Sequence, residues 1–332
     1  MFYTGSHPAR KAPLPNPLPQ GGEGRVRGNQ SVERRRAALT RRRVFLLRAC
    51  IVMALAAGAS WSGAGEKDAA GARSGRFSLL TYNVAGLPEP LSGSEPVRNT
   101  PLISPRLNAF DIVVTQEDFW YGKKLRRDSD HPYYAPRGRS LTLGDGLSRF
   151  SRLPFAEVVR EDWKSCHGYL NHGSDCMTAK GFAYAAHELA PGVFLDIYDL
   201  HMDAGHEAGD LEARTEEVDQ LLAALRARSA GKAVIVAGDW NLSSNRPRDL
   251  ENLDRMLAAE NLGDACLTLH CGVERVDRIL FRESDSLKLR VVDYQVETER
   301  FADEAGRQLS DHHAVSAVFE WESLGNQGLI RQ

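Results

Sequence analysis

No apolar stretch in this chain approaches the ~20 residues that a bilayer-spanning helix needs. The one near its start, Ala49 to Ala59, falls well short of that length. Cysteine is scarce, five in 332 residues, and no two form a C-x-x-C unit. That absence argues against a structural zinc site, although His167, His172 and His270 lie close to cysteines in sequence and keep zinc as the competing reading. There is no internal repeat, so no repeat architecture is expected. Net charge is also nearly absent, at -2 overall, but this near-neutrality hides two unlike regions.

Met1 to about Gln30 is rich in Pro, Gly and Arg and has no hydrophobic periodicity, so it cannot bury enough apolar surface to order itself. We read residues 1–38 as a disordered leader, one that resembles translated repetitive sequence upstream of a later start. Residues 39–65 have the parts of an export signal: Arg41-Arg42-Arg43, the apolar run from Ala49, then small residues such as Ala57-Gly58-Ala59-Ser60. Arg42-Arg43-x-Phe45-Leu46 resembles the twin-arginine pattern that bacteria use to export folded proteins. A basic tail ahead of a short anchor is the alternative. Cys50 precedes the apolar run, which argues against a lipoprotein cysteine. An exported location, periplasmic or extracellular in a bacterium, is therefore expected.

Removing residues 1–65, with 11 basic and 2 acidic groups, leaves 31 basic against 42 acidic and a formal charge of -11. An acidic domain is a poor non-specific binder of DNA, because that affinity comes from Lys and Arg releasing counterions. The run Lys123-Lys124-Leu125-Arg126-Arg127 is a local exception and reads as a solvated loop. The four remaining cysteines form two close pairs, Cys166 with Cys176 and Cys266 with Cys271. In an oxidising compartment two local disulfides are expected.

Chemistry-bearing residues recur at the mouths of strand-like runs, where reactive groups tend to sit. Val234-Ile235-Val236-Ala237-Gly238 runs into Asp239-Trp240-Asn241. Phe77 to Val84 delivers Asn83, Asp111 to Gln116 ends on Glu117, and Val193 to Met202 carries His201. Ser310-Asp311-His312 stands before the apolar Ala314 to Phe319. Each piece alone is weak, since Asp-x-Asn after a strand is often only an Asx turn. Together they suit attack of water on a phosphoester, with carboxylates holding a hard cation and an imidazole moving protons near neutral pH.

Asn83, Gln116-Glu117, His201, Gly238-Asp239-x-Asn241, Val276-Asp277-Arg278-Ile279 and Ser310-Asp311-His312 occur in the order of the endonuclease/exonuclease/phosphatase superfamily. The chain resembles that superfamily over about Arg76 to Glu320, which includes deoxyribonuclease I and neutral sphingomyelinases. The resemblance implies an α/β fold of two packed mixed β-sheets flanked by helices, a four-layer sandwich over residues 74–322, followed by a tail over 323–332. It implies Glu117 and Asp311 as metal ligands for Mg2+, with Mn2+ or Ca2+ as alternatives. Asn83 and Arg152 would face the substrate phosphate. Asp239 would orient or deprotonate the attacking water, Asn241 would bond a phosphate oxygen, His312 would pair with Asp277, and His201 would sit opposite.

Lys180, Asp203 and His206 are left open between lining the cleft and serving a turn or helix cap. His313 is expected to point away from His312, because successive strand side chains alternate faces. Helices are expected over Glu212 to Arg228 and Leu250 to Ala259. Strands are expected at Gly181 to Glu188, Ala233 to Ala237, Arg275 to Phe281, Leu287 to Val296 and Val315 to Trp321. The expected function is hydrolysis of a phosphodiester by an exported monomer, with no protein partner implied. A lipid or small-molecule head group is favoured over DNA as substrate, and a non-catalytic binding member is the alternative of another class. The Ala213-Arg214 segment resembles the phospholipid-cleaving branch. Against the lipid reading, only Phe281, Tyr294 and Phe301 are aromatic between Asp277 and Asp311, so an aromatic hairpin for entering membranes is lacking there.

Overall fold

A computed structural model describes residues 73–324, apart from 90, 139–142, 170–174 and 273–274. The leader, the twin-arginine stretch and the tail after 324 lie outside the described residues. The elements run β1 (Ser74–Asn83), α1 (Pro96–Ile103), β2 (Ile112–Gln116), α2 (Gly122–Arg127), β3 (Tyr133–Ala135), β4 (Ser148–Ser151) and β5 (Val159–Asp162). There follow β6 (Gly181–Ala190), β7 (Val193–His201), α3 (Ala208–Arg228), β8 (Val234–Asp239), α4 (Pro247–Glu260), β9 (Gly263–Asp264) and α5 (Ala265–Thr268). The chain closes with β10 (Asp277–Arg282), β11 (Leu287–Val296) and β12 (Val315–Ser323).

Twelve strands form two six-stranded sheets, ordered β11-β12-β1-β2-β4-β3 and β5-β6-β7-β8-β10-β9. Each mixes parallel and antiparallel pairs: β1 with β2 and β7 with β8 are parallel, and their neighbours are antiparallel. Because strand side chains alternate faces, every second residue of β1, β2, β7, β8 and β10 points between the sheets. Leu79, Ile112, Val114, Leu195, Ile197, Ile235, Ala237 and Ile279 meet there in one buried apolar layer. A second apolar layer joins β7 and β8 to α3 and α4, and a third packs the outer face of β1 and β2 under α1. This is the helix-flanked α/β sandwich that the resemblance implied.

Local chemistry sets the helix ends. In α3, Val218, Leu221, Leu222 and Leu225 recur at helical spacing and are all buried. The helix begins four residues before the expected Glu212, because Glu207 and Asp210 form a reciprocal capping box ahead of it. Neither Asp203 nor His206 caps it. In α4, Pro247 stands in the first turn and Asn261 closes the helix in the left-handed conformation at φ 52°. The Lys123–Arg127 stretch, expected as a loop, is the short helix α2 with Leu125 buried beneath it.

Candidate active site at the open edge of the two sheets

The inner rows that are apolar in mid-sheet turn polar at one end. Two residues beyond Leu79 and again beyond Thr81 on β1 comes Asn83; beyond Val114 comes Gln116, then Glu117. Beyond Ile197 on β7 come Asp199 and His201, beyond Ala237 on β8 comes Asp239, and before Ile279 on β10 stands Asp277. Register then sets these groups side by side. His201 pairs with Asp239 across β7 and β8, Asp277 pairs with Asp239 across β10 and β8, and Asn83 pairs with Gln116 across β1 and β2. Gly238 allows this alignment, since a Cβ there would lie 2.1 Å from the Leu200 carbonyl oxygen.

Asp239 is the hub and is fully buried. One carboxylate oxygen accepts the Asn83 side-chain amide at 3.1 Å and lies 3.3 Å from His201 Nε2 and 3.7 Å from His312 Nε2. The other accepts the Asn241 backbone N–H at 3.2 Å. Asn83 also donates to Glu117 at 3.0 Å and accepts from the Ala85 N–H at 3.1 Å. An amide has two N–H bonds to give, and both go to carboxylates, so Asn83 has no donor left for a substrate phosphate. Its expected role changes from phosphate contact to linker between two acids.

The two histidines differ in charge. Burial alone would lower the pKa of His312, but the Asp239 carboxylate and a 2.9 Å hydrogen bond from Nδ1 to Asp277 overcome it and push it up to about 10. His201 is held well below its ordinary value by burial, with Lys180 and His312 adding to the effect. The cleft therefore pairs a cationic imidazole with a neutral one. His313 is exposed.

Asp239, Asp277 and His312 bring ligand atoms within 4.8 Å of one another. The two carboxylates flank the His312 ring and orient it. The oxygen donors suited to a hard cation lie beside it. Burial raises the Glu117 carboxyl, the Asn83 bond and Lys180 oppose that rise, and the Asp239 and Asp311 charges add to it. Asp311 is exposed at the mouth, beside Ser310, whose hydroxyl donates to the Asn83 carbonyl at 2.7 Å. Several carboxylates crowded around one opening repel each other, and a divalent cation would relieve that repulsion. The donor set fits Mg2+. Glu117 and Asn241 both take left-handed backbone, φ 57° and 50°, rare for residues with side chains and typical of functional sites.

Arg152 is the exception among the expected site residues. It lies just beyond β4, which runs antiparallel to β2, and its N–H donates to Asp111 at the start of that strand, the end remote from Glu117. Its guanidinium pairs with Asp130 at 3.0 Å. Lys180, by contrast, is buried in the site's foundation, ion-paired with Asp175 and donating to the Met202 carbonyl at 3.1 Å. Arg214 is also buried and structural, bonded to Asp249 and to the Asp203 carbonyl at 3.0 Å each. His206 is exposed. Both disulfides, Cys166–Cys176 and Cys266–Cys271, are formed.

Two sheets opening on a cluster of acids, amides and an oriented imidazole define the class of hydrolytic α/β sandwiches. The chain belongs to the endonuclease/exonuclease/phosphatase family, whose model matches residues 80–312. It is 31% identical over 272 residues to proteins of Mycobacterium tuberculosis and Mycobacterium bovis named sphingomyelinase, covering 75% of this chain and 53% of those. The chain thus spans about half the length of the curated relatives it matches. Among solved structures it resembles Staphylococcus aureus beta toxin with bound magnesium ions, at TM-score 0.54 and 19% identity over 73% of this chain and 99% of that one. It also resembles D. rerio TDP2 complexed with a single-strand DNA product, at TM-score 0.58 and 18% identity over 74% of this chain and 98% of that one. These structural likenesses establish the fold.

Proposed function

We propose that the protein is an exported, Mg2+-dependent phosphodiesterase whose substrate is a phospholipid or small-molecule phosphodiester. The observation that carries this reading is the Asp239–His312–Asp277 relay set against Glu117 and Asp311 at one opening. A divalent cation held by Glu117 and Asp311 would supply positive charge to the non-bridging phosphate oxygens. Asp239 orients a water for in-line attack on phosphorus and takes its proton. His312, kept cationic and aimed by Asp277, faces the phosphoryl oxygens as charge builds on them. His201 holds the opposite side through its imidazole N–H, beside the leaving oxygen, and Asn241, whose side-chain amide gives one N–H to the Met202 carbonyl at 3.1 Å, keeps the other for a phosphate oxygen.

The substrate reading rests on the acidic domain and on the 31% identity to proteins named sphingomyelinase. The basic groups of α2 do little to build a nucleic-acid surface. Arg126 is tied to the Ser129 and His131 carbonyls, Arg127 to Asp128, and Lys124 to the Val97 carbonyl. DNA cleavage is the second reading, favoured by the likeness to TDP2 in complex with a DNA product. Export is supported by the twin-arginine-like leader and the two disulfides, and no helix among the described residues is long and apolar enough to cross a membrane. The test is purified protein against sphingomyelin, plasmid DNA and inositol phosphates, each with Mg2+ or EDTA. Phosphocholine release that stops in EDTA is expected, and rapid plasmid nicking with no phosphocholine would replace the lipid reading with a secreted nuclease.

A further inference from the structure

His312 is aimed by a carboxylate on its Nδ1; His201 is not. Its ring is buried, and its Nδ1 has no hydrogen-bond partner among the described residues. Apart from the Asp239 carboxylate 3.3 Å from its Nε2, the placement of this imidazole rests on the backbone that carries it, where β7 ends and the chain turns toward α3. That backbone is gripped by one loop. The Trp163 indole N–H donates to the His201 carbonyl at 2.7 Å, and the His167 N–H donates to the Asp203 carboxylate at 2.7 Å. The Ala204 N–H donates to Asp175 at 3.2 Å. His167 also bonds Asp210 in the first turn of α3 through Nδ1, at 2.7 Å. Its ring lies so close to Gly209 that a Cβ there would fall 2.1 Å from the imidazole.

The gripping residues flank the Cys166–Cys176 disulfide: His167 and Asp175 are each next to a bridged cysteine, and Trp163 is three residues before the first. Trp163 is also packed, its ring 5.3 Å from that of Phe182 beside the apolar layer under α3, whereas His167 and Asp175 grip through hydrogen bonds. Beneath them is a cavity of about 280 Å³ lined by Trp163, Asp175, Lys180, Asp203 and Glu217, whose floor is polar. The Cys176 N–H donates to the Gly168 carbonyl at 3.1 Å, and the covalent bridge fixes this junction between the two gripping arms.

We propose that the Cys166–Cys176 bridge and the residues flanking it, Trp163, His167 and Asp175, form a positioning clamp for His201, and that turnover accordingly depends on the oxidation state of this disulfide. The inference rests on the role given to His201 above. Reduction by dithiothreitol moves two electrons and two protons from the reagent to the bridge, leaving two cysteine thiols and the reagent as its cyclic disulfide. The freed arms no longer hold the His201–Ala204 backbone, and misplacement of a reacting group by about 1 Å costs roughly 100-fold in rate. Trp163, His167 and the cysteines act through His201 and do not touch substrate.

The test combines kinetics with the side-chain 15N resonances of the histidines. On reduction, the His201 signals should shift and broaden while those of buried His131 and His187 stay in place. The kcat should fall roughly 10- to 100-fold with KM changed less than about twofold. The Cys266→Ser/Cys271→Ser variant, whose bridge lies elsewhere, should respond to dithiothreitol as the unaltered protein does. Trp163→Phe keeps a ring but removes one grip, and should reproduce part of the kcat loss without reduction, which keeps the test valid if the reduced protein unfolds. Unmoved His201 resonances and full kcat in folded, reduced protein and in Trp163→Phe would overturn the clamp. If His201→Ala were fully active while reduction still shifted the His201 signals, the clamp would stand and the catalytic reading of His201 would fall.

Discussion

Asn83 and Asp239 stand 156 positions apart in sequence and on different sheets, yet the Asn83 amide donates to the Asp239 carboxylate at 3.1 Å. Its other N–H holds Glu117. One side chain thus ties Glu117, proposed to hold the metal, to Asp239, proposed to handle water, and it does so across the gap between the two sheets.

This linkage separates three substitutions from a fourth. Glu117→Gln and Asp311→Asn should raise the Mg2+ concentration needed for half-maximal activity, and Asn83→Ala should do the same by about 10- to 100-fold, as loss of a ligand's hydrogen-bond partner typically does. Arg152→Ala should leave activity within about twofold, the usual insensitivity of a surface residue away from the chemistry. Magnesium titrations of the four variants check this. Full activity of Glu117→Gln at low Mg2+ would remove the metal assignment.

The same residues show what sequence can and cannot reveal here. The positions of Asn83, Glu117, Asp239 and His312 were legible because apolar runs of strand length stop at the first three and begin just after the last. The saturation of Asn83 was not, since it depends on which carboxylates the opposing sheet delivers. Arg152 misled for a related reason. A Ser-Arg-Leu-Pro turn looks the same at either end of a strand, and only the antiparallel pairing of β4 with β2 shows that it lies at the end remote from Glu117. The placement of Lys180 and Trp163 beneath His201 had no local signal at all, because it arises from a loop folding back on β7.

Stability should fall as pH rises through the range from about 4 to 7. Burial, together with Asp175 and Asp210, lifts the Asp203 carboxyl to about 7, while the His167 N–H and Lys180 pull it down. A carboxyl whose pKa is raised on folding binds its proton more tightly in the folded state. Its contribution is therefore full at low pH and is lost as pH climbs from the unfolded value of ~3.9 through the folded one. Asp203→Asn removes that loss. In metal-free urea unfolding, the variant should gain roughly 1–2 kcal/mol relative to the unaltered protein between pH 5 and pH 8. An identical pH slope in both proteins would show that Asp203 does not titrate on unfolding.

Export is checked separately from chemistry. Residues 31–70 fused to a reporter that requires the folded-protein export route should carry it to the periplasm, and Arg42→Lys with Arg43→Lys should block it. Unchanged export after that double substitution would assign the leader to the general secretory route.

Binding of a head-group phosphodiester at one local site releases few counterions, so activity should depend weakly on salt. Steady-state rates between 50 and 200 mM salt, values chosen to span the range over which nuclease affinity typically collapses, distinguish the two substrate readings. A steep fall in affinity would indicate contacts with several backbone phosphates.

The relay is tested most directly by a double-mutant cycle on Asp277 and His312, which lie 2.9 Å apart, one at the start of β10 and the other in the loop before β12. If Asp277 works by aiming His312 and keeping it charged, Asp277→Asn should lower kcat by about 100-fold or more with little change in KM. Asp277→Asn combined with His312→Ala should then be scarcely slower than His312→Ala alone. Losses that multiply fully in the double variant would mean that the two residues act independently, and the relay would have to be abandoned.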